Sequence, residues 1–463
     1  MKKYFLPAVF LKRRCTLAFL PSLYALILNC IMLYSLFFIN FANSFLEYMK
    51  NTNKCAAWLL HLSFLFVLQF FVTACEDTLG DGDGGGEPLT LPQVHVTTNG
   101  NVGINSKTEW VGGNITIFDK RGNESLSMNS EFRGRGNSTW LMPKKPYAVK
   151  LSKREQVLGM PSHKRWVLLA NWLDRTLLRN DVAFEIARKC LPFTPRGEFV
   201  ELYLNGEHRG NYYLCEQIRV DKNRVNIDEI DENSTGEDIT GGYLLEFDTY
   251  AEEEINYFYT KCKNLPVTIK SPDEDVVTSW EHPAFVYIKD YVNSVEDALE
   301  QGSWDAVEKL IDVKSYADWF LVYSLIGNIE PAHPKSCYMY KKRGGKLYAG
   351  PAWDFDWGTF VPGRKGLLLH GVLWYPRLME HEEFKQLLKR RWGELRCEFE
   401  KIPSYIDEQT QWIKESNEVN FEMWPVTQNT NNDITLSFDE AVARIKAAYE
   451  ERMLEIDNAL SAF

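Results

Sequence analysis

The sequence predicts an α+β protein in which a β-rich N-terminal region precedes a mainly helical C-terminal region. Short runs of alternating polar and apolar residues, separated by Gly and Asn, fill residues 91–270 and are typical of antiparallel strands. Apolar residues at helical spacing dominate residues 271–463, with one β-hairpin among them. A chain of 463 residues with 45% hydrophobic content can bury a large core, so disorder is excluded as its main state.

The elements of the N-terminal region follow from alternation and turn residues. Residues 147–153, "YAVKLSK", alternate in polarity and predict a strand. The stretch "DRTLLRNDVAFEIARKC" predicts a helix with Asp174 as its N-cap. The pair Asn205 and Gly206 predicts a tight hairpin between two alternating runs, because both residue types adopt positive φ readily. One more strand is predicted at residues 241–248, "GGYLLEFD".

The C-terminal region contains one apolar helix and several amphipathic ones. The apolar side chains of "DVKSYADWFLVYSLIGNIE" are almost continuous and predict a central buried helix that ends near Gly327. A hairpin around "RGGK" follows and leads into "AGPAWDFDWG". Two long amphipathic helices are predicted at residues 384–400 and 437–460.

The first 75 residues are predicted to be targeting sequence rather than fold. Residues 49–75 combine two lysines, an apolar run and the ending "VTAC", a pattern that resembles a bacterial lipoprotein signal. Cys75 would then be the lipidated first residue of the mature protein, and residues 76–90 an acidic, Gly-rich flexible linker. The alternative to this signal is an uncleaved membrane anchor. The true start is predicted at Met49, and the alternative to that start is a two-span anchor. Both interpretations place the chain outside the cytoplasm, in the cell envelope, on the periplasmic face or the cell surface.

The charge distribution limits the partners of the folded region. The whole chain has a formal charge of −11, and its first 75 residues hold seven basic residues and one acidic residue. The remaining 388 residues therefore carry −17. General binding to nucleic acid depends on an excess of Lys and Arg. Nucleic acid is thus excluded as a partner, and contact with a membrane is expected through the lipid on Cys75.

The order of the predicted elements is that of a protein kinase, in which catalysis requires a cation near the nucleotide phosphates. Lys150 in "YAVKL" resembles the phosphate-binding lysine of a kinase strand, and Lys144 and Lys145 are rivals for that role. Glu185 on the following helix is the natural ion-pair partner of such a lysine, and an exposed surface glutamate is the alternative. The cofactor expected here is ATP.

Asp354 and Asp356 in "WDFDWG" follow the second hairpin, where kinases place metal-binding carboxylates. Carboxylates at i and i+2 point to the same side of an extended chain, so both would reach one Mg²⁺ or Mn²⁺ ion, or two. The alternative interpretation is that the aspartates only cap a turn.

Several stretches together resemble the CotH kinase family over about residues 90–400, including lipoprotein members of the kind found in Bacteroidetes. The resemblance implies a diverged, two-lobed protein-kinase-like fold. It also implies transfer of the ATP γ-phosphate to serine in protein substrates, with a divalent metal. The stretches that carry the resemblance are "FRGRGNSTW", "KKPYAVKL", "WVLLANWLDRTLLRNDVAFEIAR", "VELYLNGEHRGNYYLCEQI" and "HPKSCYMYK…KLYAGPAWDFDWG".

The resemblance also implies roles for individual residues. Asp354, Asp356 or both would bind metal, and Glu330 would be the catalytic base where the family usually has aspartate. Lys150 and these three acids are expected to converge in one cleft between the lobes.

Two further residues have both a cofactor-binding and a structural interpretation. Arg135 in "RGRGNSTW" would contact phosphate or merely support the sheet. Glu216 occupies the position of a kinase hinge, near adenine, although pairing with Arg219 at the strand end is equally plausible.

Two functions remain open from the sequence. The first is an atypical kinase that phosphorylates a protein (Ser/Thr) or another hydroxyl acceptor outside the cytoplasm. The second is a catalytically silent, kinase-like surface lipoprotein that binds protein or glycan. Glu330 favours the silent protein, whereas Lys150 and the intact "WDFDWG" favour the enzyme.

Overall fold

Seven strands close into a barrel at the N-terminal end of the part of the chain that the computed structural model describes, residues 90–463. The barrel order is β1-β2-β3-β4-β5-β7-β6, and a parallel pairing of β1 with β6 closes it. Apolar side chains from alternate positions of every strand fill the interior, as a closed sheet requires. The strands are β1 (Gln93–Thr98), β2 (Val111–Phe118), β3 (Glu124–Gly134), β4 (Tyr147–Val157), β5 (Met160–Leu169), β6 (Gly197–Leu204) and β7 (Glu207–Glu216).

The predicted hairpin and strand are confirmed within this barrel. Asn205 and Gly206 connect β6 to β7 with φ values of 52° and 81°, the positive values that a two-residue hairpin turn of this kind needs. In β4, Tyr147, Val149 and Leu151 point into the barrel, so the intervening residues lie on its outer face. The closed form of the sheet was not predicted.

The helix after β5 begins later than predicted. It is α1 (Arg179–Arg188), and Leu178 rather than Asp174 occupies its N-cap position. Asp174 instead stabilises the turn before the helix, because its carboxylate accepts hydrogen bonds from the N–H groups of Thr176 and Arg179 at 2.9 and 2.8 Å. The prediction of an Asp174 N-cap was therefore wrong, although this aspartate still binds the backbone at the start of the helix.

The remaining strands of residues 90–463 form a second sheet of five strands. Its order is β12-β11-β8-β10-β9, so the strand predicted at residues 241–248 pairs with the "RGGK" hairpin and not with the barrel. These strands are β8 (Tyr243–Phe247), β9 (Tyr257–Tyr259), β10 (Pro266–Ser271), β11 (Cys337–Lys341) and β12 (Leu347–Ala349).

The C-terminal region is mainly helical, as predicted, and the mixed α+β class is confirmed. Helix α4 is almost wholly buried, begins after Asp312 and ends at Gly327 with φ 75°. Helix α7 was not predicted from the sequence. No helix of residues 90–463 is long and apolar enough to cross a membrane, and the predicted signal around Cys75 lies outside the described residues. The helices are α2 (Pro283–Gln301), α3 (Trp304–Leu310), α4 (Val313–Ile326), α5 (Tyr375–Leu378), α6 (Glu382–Phe399), α7 (Ile402–Met423) and α8 (Phe438–Ser461).

Lys144 joins the barrel to helix α7. Its side chain is fully buried, and its Nζ donates to Ala170 O and Asn420 Oδ1, each at 2.8 Å, and to Asn211 O. Three acceptors match the three N–H groups of a charged ammonium, while burial lowers the pKa of Lys144 to about 7. This lysine is therefore a structural connection between the two regions.

Replacing Lys144 by Met is expected to lower the free energy of unfolding by about 3 kcal/mol, because it leaves three buried acceptors without a donor. Urea unfolding followed by tryptophan fluorescence measures this loss. The control is Lys145→Met, since within residues 90–463 the Lys145 ammonium donates only to Trp140 O, and its loss should be about 1 kcal/mol. Equal losses in the two variants would contradict the structural role of Lys144.

Candidate active site

A cleft of about 920 Å³ opens between the barrel, the second sheet and the loops that follow α4 and β12. Glu330, Asp354 and Asp356 all line it, together with Asp248. The structure therefore brings together the predicted base and both predicted metal ligands. The cleft also contains Arg135, the residue of "RGRGNSTW" predicted to contact phosphate.

Glu330 lies just beyond the C-terminal end of the buried helix α4. Gly327 ends the helix in the left-handed conformation, and Asn328 Oδ1 accepts a 2.8 Å hydrogen bond from Glu330 N. The N–H of Phe360 donates to Ile326 O at 2.9 Å, which ties the loop of the two aspartates to this helix end. This bond connects the segment that contains Glu330 to the segment that contains the two aspartates.

The loop that contains the aspartates is held by buried neighbours on both sides. Phe355, between the two acids, is fully buried, and its N–H donates to Asn180 Oδ1 at 2.8 Å. Asn431 bonds to the loop twice, from its Nδ2 to Asp356 O at 2.9 Å and from Gly358 N to its Oδ1 at 2.8 Å. The backbone positions of both carboxylates are therefore fixed by residues outside the loop.

The expected reason for the closeness of the two aspartates needs correction. Asp354 has φ 68°, so the chain turns at this residue and is not extended as the i, i+2 argument assumed. Both side chains still line the cleft. Within residues 90–463, neither carboxylate caps a turn by accepting a hydrogen bond from the N–H of another residue, which argues against a purely capping role.

The carboxylates of the cleft repel one another in a poorly solvated space. Burial, followed by the charges of Asp354 and Asp356, raises the pKa of Glu330 to about 9. Burial, followed by the charge of Asp354, raises the pKa of Asp356 to about 8. The pKa of Asp354 is also raised by burial and by Asp248, against the opposing charges of Arg135 and Lys335. The cluster thus lacks enough positive charge of its own.

Two cations stand close to this acidic cluster. The Arg135 guanidinium lies 5.3 Å from the centre of the Trp353 ring, directly before Asp354 in sequence. The Lys335 ammonium lies 5.3 Å from the centre of the Tyr250 ring. Both side chains line the cleft, and both favour the ionised form of Asp354. Lys144, the predicted rival of Lys150, also lines the cleft, but its ammonium is already bonded to three protein acceptors. Arg135 and Lys335 are the two cations of the cleft whose charges act on Asp354.

Lys150 does not join this group, so the expected convergence of Lys150 with the three acids was wrong. It lies on the outer face of β4, and its Nζ pairs with Glu131 on the neighbouring strand β3 at 2.6 Å. Glu185 is likewise engaged elsewhere, with Arg188 at 2.8 Å and with Lys189 at 2.5 Å. Local pairs on the same helix and on adjacent strands satisfy both residues, and the Lys150–Glu185 pair does not form.

The remaining predicted cofactor residues also lie outside the cleft. Lys145 faces a separate cavity at one end of the barrel. Glu216 is fully buried and accepts two hydrogen bonds from the Arg196 side chain at 2.9 and 2.8 Å, which gives it a structural role. Arg219, its expected alternative partner, pairs with Asp273 at 3.1 Å instead.

Asp248 is a site residue that the sequence did not reveal. It follows β8 directly and is buried, and its carboxylate accepts from Ser336 N at 3.0 Å and from Tyr250 N at 2.8 Å. These bonds orient the segment that also contains Lys335. An acid directly after a buried strand was the signal that would have identified it.

The donor set of the cleft suits a divalent metal bound together with a phosphate ligand. No group of three or more His, Cys, Asp or Glu side chains in residues 90–463 is arranged to hold a metal by itself. Mg²⁺ usually takes only one or two protein carboxylates and completes its shell with water and substrate phosphates. Asp354 and Asp356 supply two hard oxygen donors in a cluster that lacks positive charge.

The stability of the metal-free protein should depend on these carboxyl groups. Their pKa values are higher in the folded chain than in the unfolded chain, so the folded state holds more protons above about pH 4. Stability is therefore lost as the pH rises from about 5 to about 9. With EDTA present, the melting temperature of Asp356→Asn relative to the wild type should rise over this range. A melting-temperature difference between Asp356→Asn and the wild type that stays constant over this pH range would contradict the raised pKa values.

A comparison with known protein families identifies the family of this chain. A family model described as CotH kinase protein matches residues 132–455, which include Arg135, Glu330, Asp354 and Asp356. A search of curated proteins gives no match to the chain. The family match spans β4 to β12 and most of the helical region, well over half of the chain. On this evidence, the protein belongs to the CotH kinase family.

Proposed function

We propose that this protein is an atypical kinase that transfers the γ-phosphate of ATP to a hydroxyl group, with a divalent metal such as Mg²⁺ or Mn²⁺. In this proposal the barrel is the N-terminal lobe of a diverged kinase fold, and the second sheet and helices form the C-terminal lobe. One observation carries it: Glu330, Asp354 and Asp356 line one cleft that also contains Arg135 and Lys335. Phosphoryl transfer needs these two kinds of charge close together.

Each side chain has a distinct role in this proposal. Asp354 and Asp356 would hold the metal, which supplies positive charge against the phosphates when it is bound. Arg135 and Lys335 would bind phosphate oxygens and orient the nucleotide. Glu330 would accept the proton of the acceptor hydroxyl at its carboxylate. Positive charge at the aspartates would lower the pKa of Glu330 toward neutrality, where a general base is most effective.

The acceptor and its location are proposed from the sequence. The pattern of residues 49–75 supports a lipid anchor on Cys75, with the folded region held in the cell envelope by the linker 76–90. The acceptor would then be Ser or Thr of an envelope protein, or a hydroxyl of an envelope glycan. The acidic charge of residues 76–463 argues against nucleic acid as a partner.

A second candidate function has one observation in its favour. Lys145 and Lys150 do not line the cleft, and Lys144, which does, has its ammonium fully bonded to three protein acceptors. A kinase-like protein without its phosphate-binding lysine would bind protein or glycan through this cleft and catalyse no transfer. Under this alternative, Arg135 and Lys335 would not replace the missing lysine.

ADP formation distinguishes the two functions. The full-length protein is incubated with ATP, with Mg²⁺ or Mn²⁺, and with envelope proteins as acceptors, and ADP is measured together with phosphate transferred to the acceptors. The proposal predicts metal-dependent ADP formation and labelling of an acceptor, both lost in Asp356→Asn. Absence of ADP with every metal and acceptor, while an envelope component still binds, would favour the silent protein.

A further inference from the structure

A second cavity, of about 350 Å³, lies at the end of the barrel where β4 begins and β6 ends. Its lining includes four aromatic side chains and two cations, and it shares no lining residue with the cleft. Pockets that bind small molecules start at about 300 Å³. The size of this cavity is therefore suited to a ligand of one ring. The six residues are Trp140, Tyr147, Tyr212, Trp424, Lys145 and Arg209.

The aromatic walls are fixed in place. Trp140 packs against the backbone of Gly134 so closely that a Cβ at this glycine would overlap the indole ring. Trp424 Nε1 donates to Arg209 O at 2.9 Å. The rings of Tyr147 and Tyr212 stack with their centres 6.2 Å apart. Rigid aromatic surfaces of this kind bind the flat apolar face of a ring without a large loss of conformational entropy.

Hydrogen-bond donors in the cavity lack partners within residues 90–463. The Nε of Arg209 is buried and makes no hydrogen bond. Lys145 Nζ donates only to Trp140 O, at 2.7 Å, so two of its three N–H groups remain. Glu207 lies 3.4 Å from Arg209 Nη1 and compensates one of the two positive charges. A ligand that accepts hydrogen bonds and carries one negative charge would satisfy these groups.

We propose that this cavity is a ligand site for a hexose-sized ring bearing one anionic group, either a carboxylate or a phosphate. The ring would stack on Trp424 and contact Trp140, whose ring already packs on Gly134 and lies 5.4 Å from the Lys145 ammonium. The anion would bind Arg209 and Lys145. A neutral sugar would leave the charged donors unsatisfied, and a simple anion would leave the aromatic walls uncovered. Both parts of the ligand are therefore needed for tight binding.

The cavity adjoins the cleft through one shared wall. Thr139 and Met142 face the cleft, whereas Trp140 and Pro143 of the same segment face the second cavity. A ligand in the second cavity would thus contact the segment that follows Arg135. The proposed ligand site does not require the cleft to be catalytic. Failure of the kinase proposal would therefore not contradict it.

Binding is tested by calorimetry on the purified full-length protein with glucuronate, glucose 6-phosphate and glucose. Glucuronate or glucose 6-phosphate should bind at least about tenfold more tightly than glucose, and the preferred one identifies the anion as carboxylate or phosphate. Arg209→Gln and Lys145→Gln should each weaken the preferred anion about ten- to a hundredfold. The control Lys164→Gln removes an exposed lysine of the same barrel and should change nothing.

Two results would overturn the proposal: no binding of either anionic sugar at millimolar concentration, or binding that Arg209→Gln and Lys145→Gln leave unchanged. The melting temperature of each variant without ligand checks folding. Lys145→Arg keeps the charge and should keep binding, so loss of binding in Lys145→Gln alone reports charge rather than misfolding. Failure of this test leaves ADP formation by the cleft unaffected, which separates the two proposals.

Discussion

Replacing Glu330 by Gln is expected to lower ATP turnover about 10²–10⁴-fold while Mg²⁺-dependent ATP binding is retained. A positioned general base contributes a factor of this size, and glutamine cannot accept the proton of the acceptor hydroxyl. Glu330 is oriented from the end of α4 by the bond between its N–H and Asn328. Because the proposed metal ligands are Asp354 and Asp356, the change should affect kcat far more than nucleotide affinity.

Steady-state ADP formation and ATP binding are measured on the same preparations. Glu253→Gln is the matched control, since Glu253 is an exposed acid that also lines the cleft, and its turnover should be unchanged. Glu330→Asp moves the carboxylate back by about one methylene, and a shift of about 1 Å in a catalytic group can cost about a hundredfold. Unchanged turnover in Glu330→Gln would show that Glu330 is not the general base.

Replacing Arg179 by Met is expected to lower the free energy of unfolding by about 3–5 kcal/mol, the largest effect on stability that the structure predicts. Arg179 is fully buried and pairs with Asp174 and, at 2.7 Å, with Asp433. Its Nε also donates to Thr359 O at 3.2 Å, next to the loop of the two aspartates. The variant leaves two buried carboxylates without their cation, and that desolvation cost is what destabilises the protein.

Denaturant unfolding of Arg179→Met measures the loss. Lys414→Met is the control, because the pair between Lys414 and Asp439 at 3.0 Å is largely exposed and contributes less than about 1 kcal/mol. Similar losses of stability in the two variants would contradict a stabilising role for the buried pairs of Arg179 with Asp174 and Asp433. The buried pairs of Arg179 were not predicted from the sequence, because "LDRTLLRND" resembles the polar start of any helix.

Elements with strong local signals were predicted well from the sequence. The alternation of residues 147–153, the Asn205–Gly206 turn and the apolar helix ending at Gly327 each depend on short-range physics, and each was confirmed. Asp354 and Asp356 were found because they follow the second hairpin, and Glu330 was found through the family resemblance, whereas Asp248 was missed although it directly follows a strand. Helix α7 was not predicted because few of the residues on its buried side are apolar.

Long-range partners were predicted less well. The alternation of polar and apolar residues correctly places Lys150 on the outer face of β4. It does not show whether the Lys150 side chain reaches the cleft or pairs with Glu131 on the neighbouring strand. The closure of the barrel by β1 and β6 and the pairing of β8 with β11 likewise depend on tertiary packing. In the proposed kinase, Arg135 and Lys335 would have the phosphate-binding role that was predicted for Lys150.

The most direct test of the central claim is thermal stabilisation by ATP and Mg²⁺ of the wild type, Asp354→Ala and Asp356→Ala. At about a hundredfold excess over Kd, a bound ligand adds about 2.7 kcal/mol and should raise the melting temperature by a few degrees. We expect this rise in the wild type, only with metal present, and its loss in at least one variant. No rise in the wild type, or an equal rise in all three proteins, would contradict a metal-dependent nucleotide site at these aspartates.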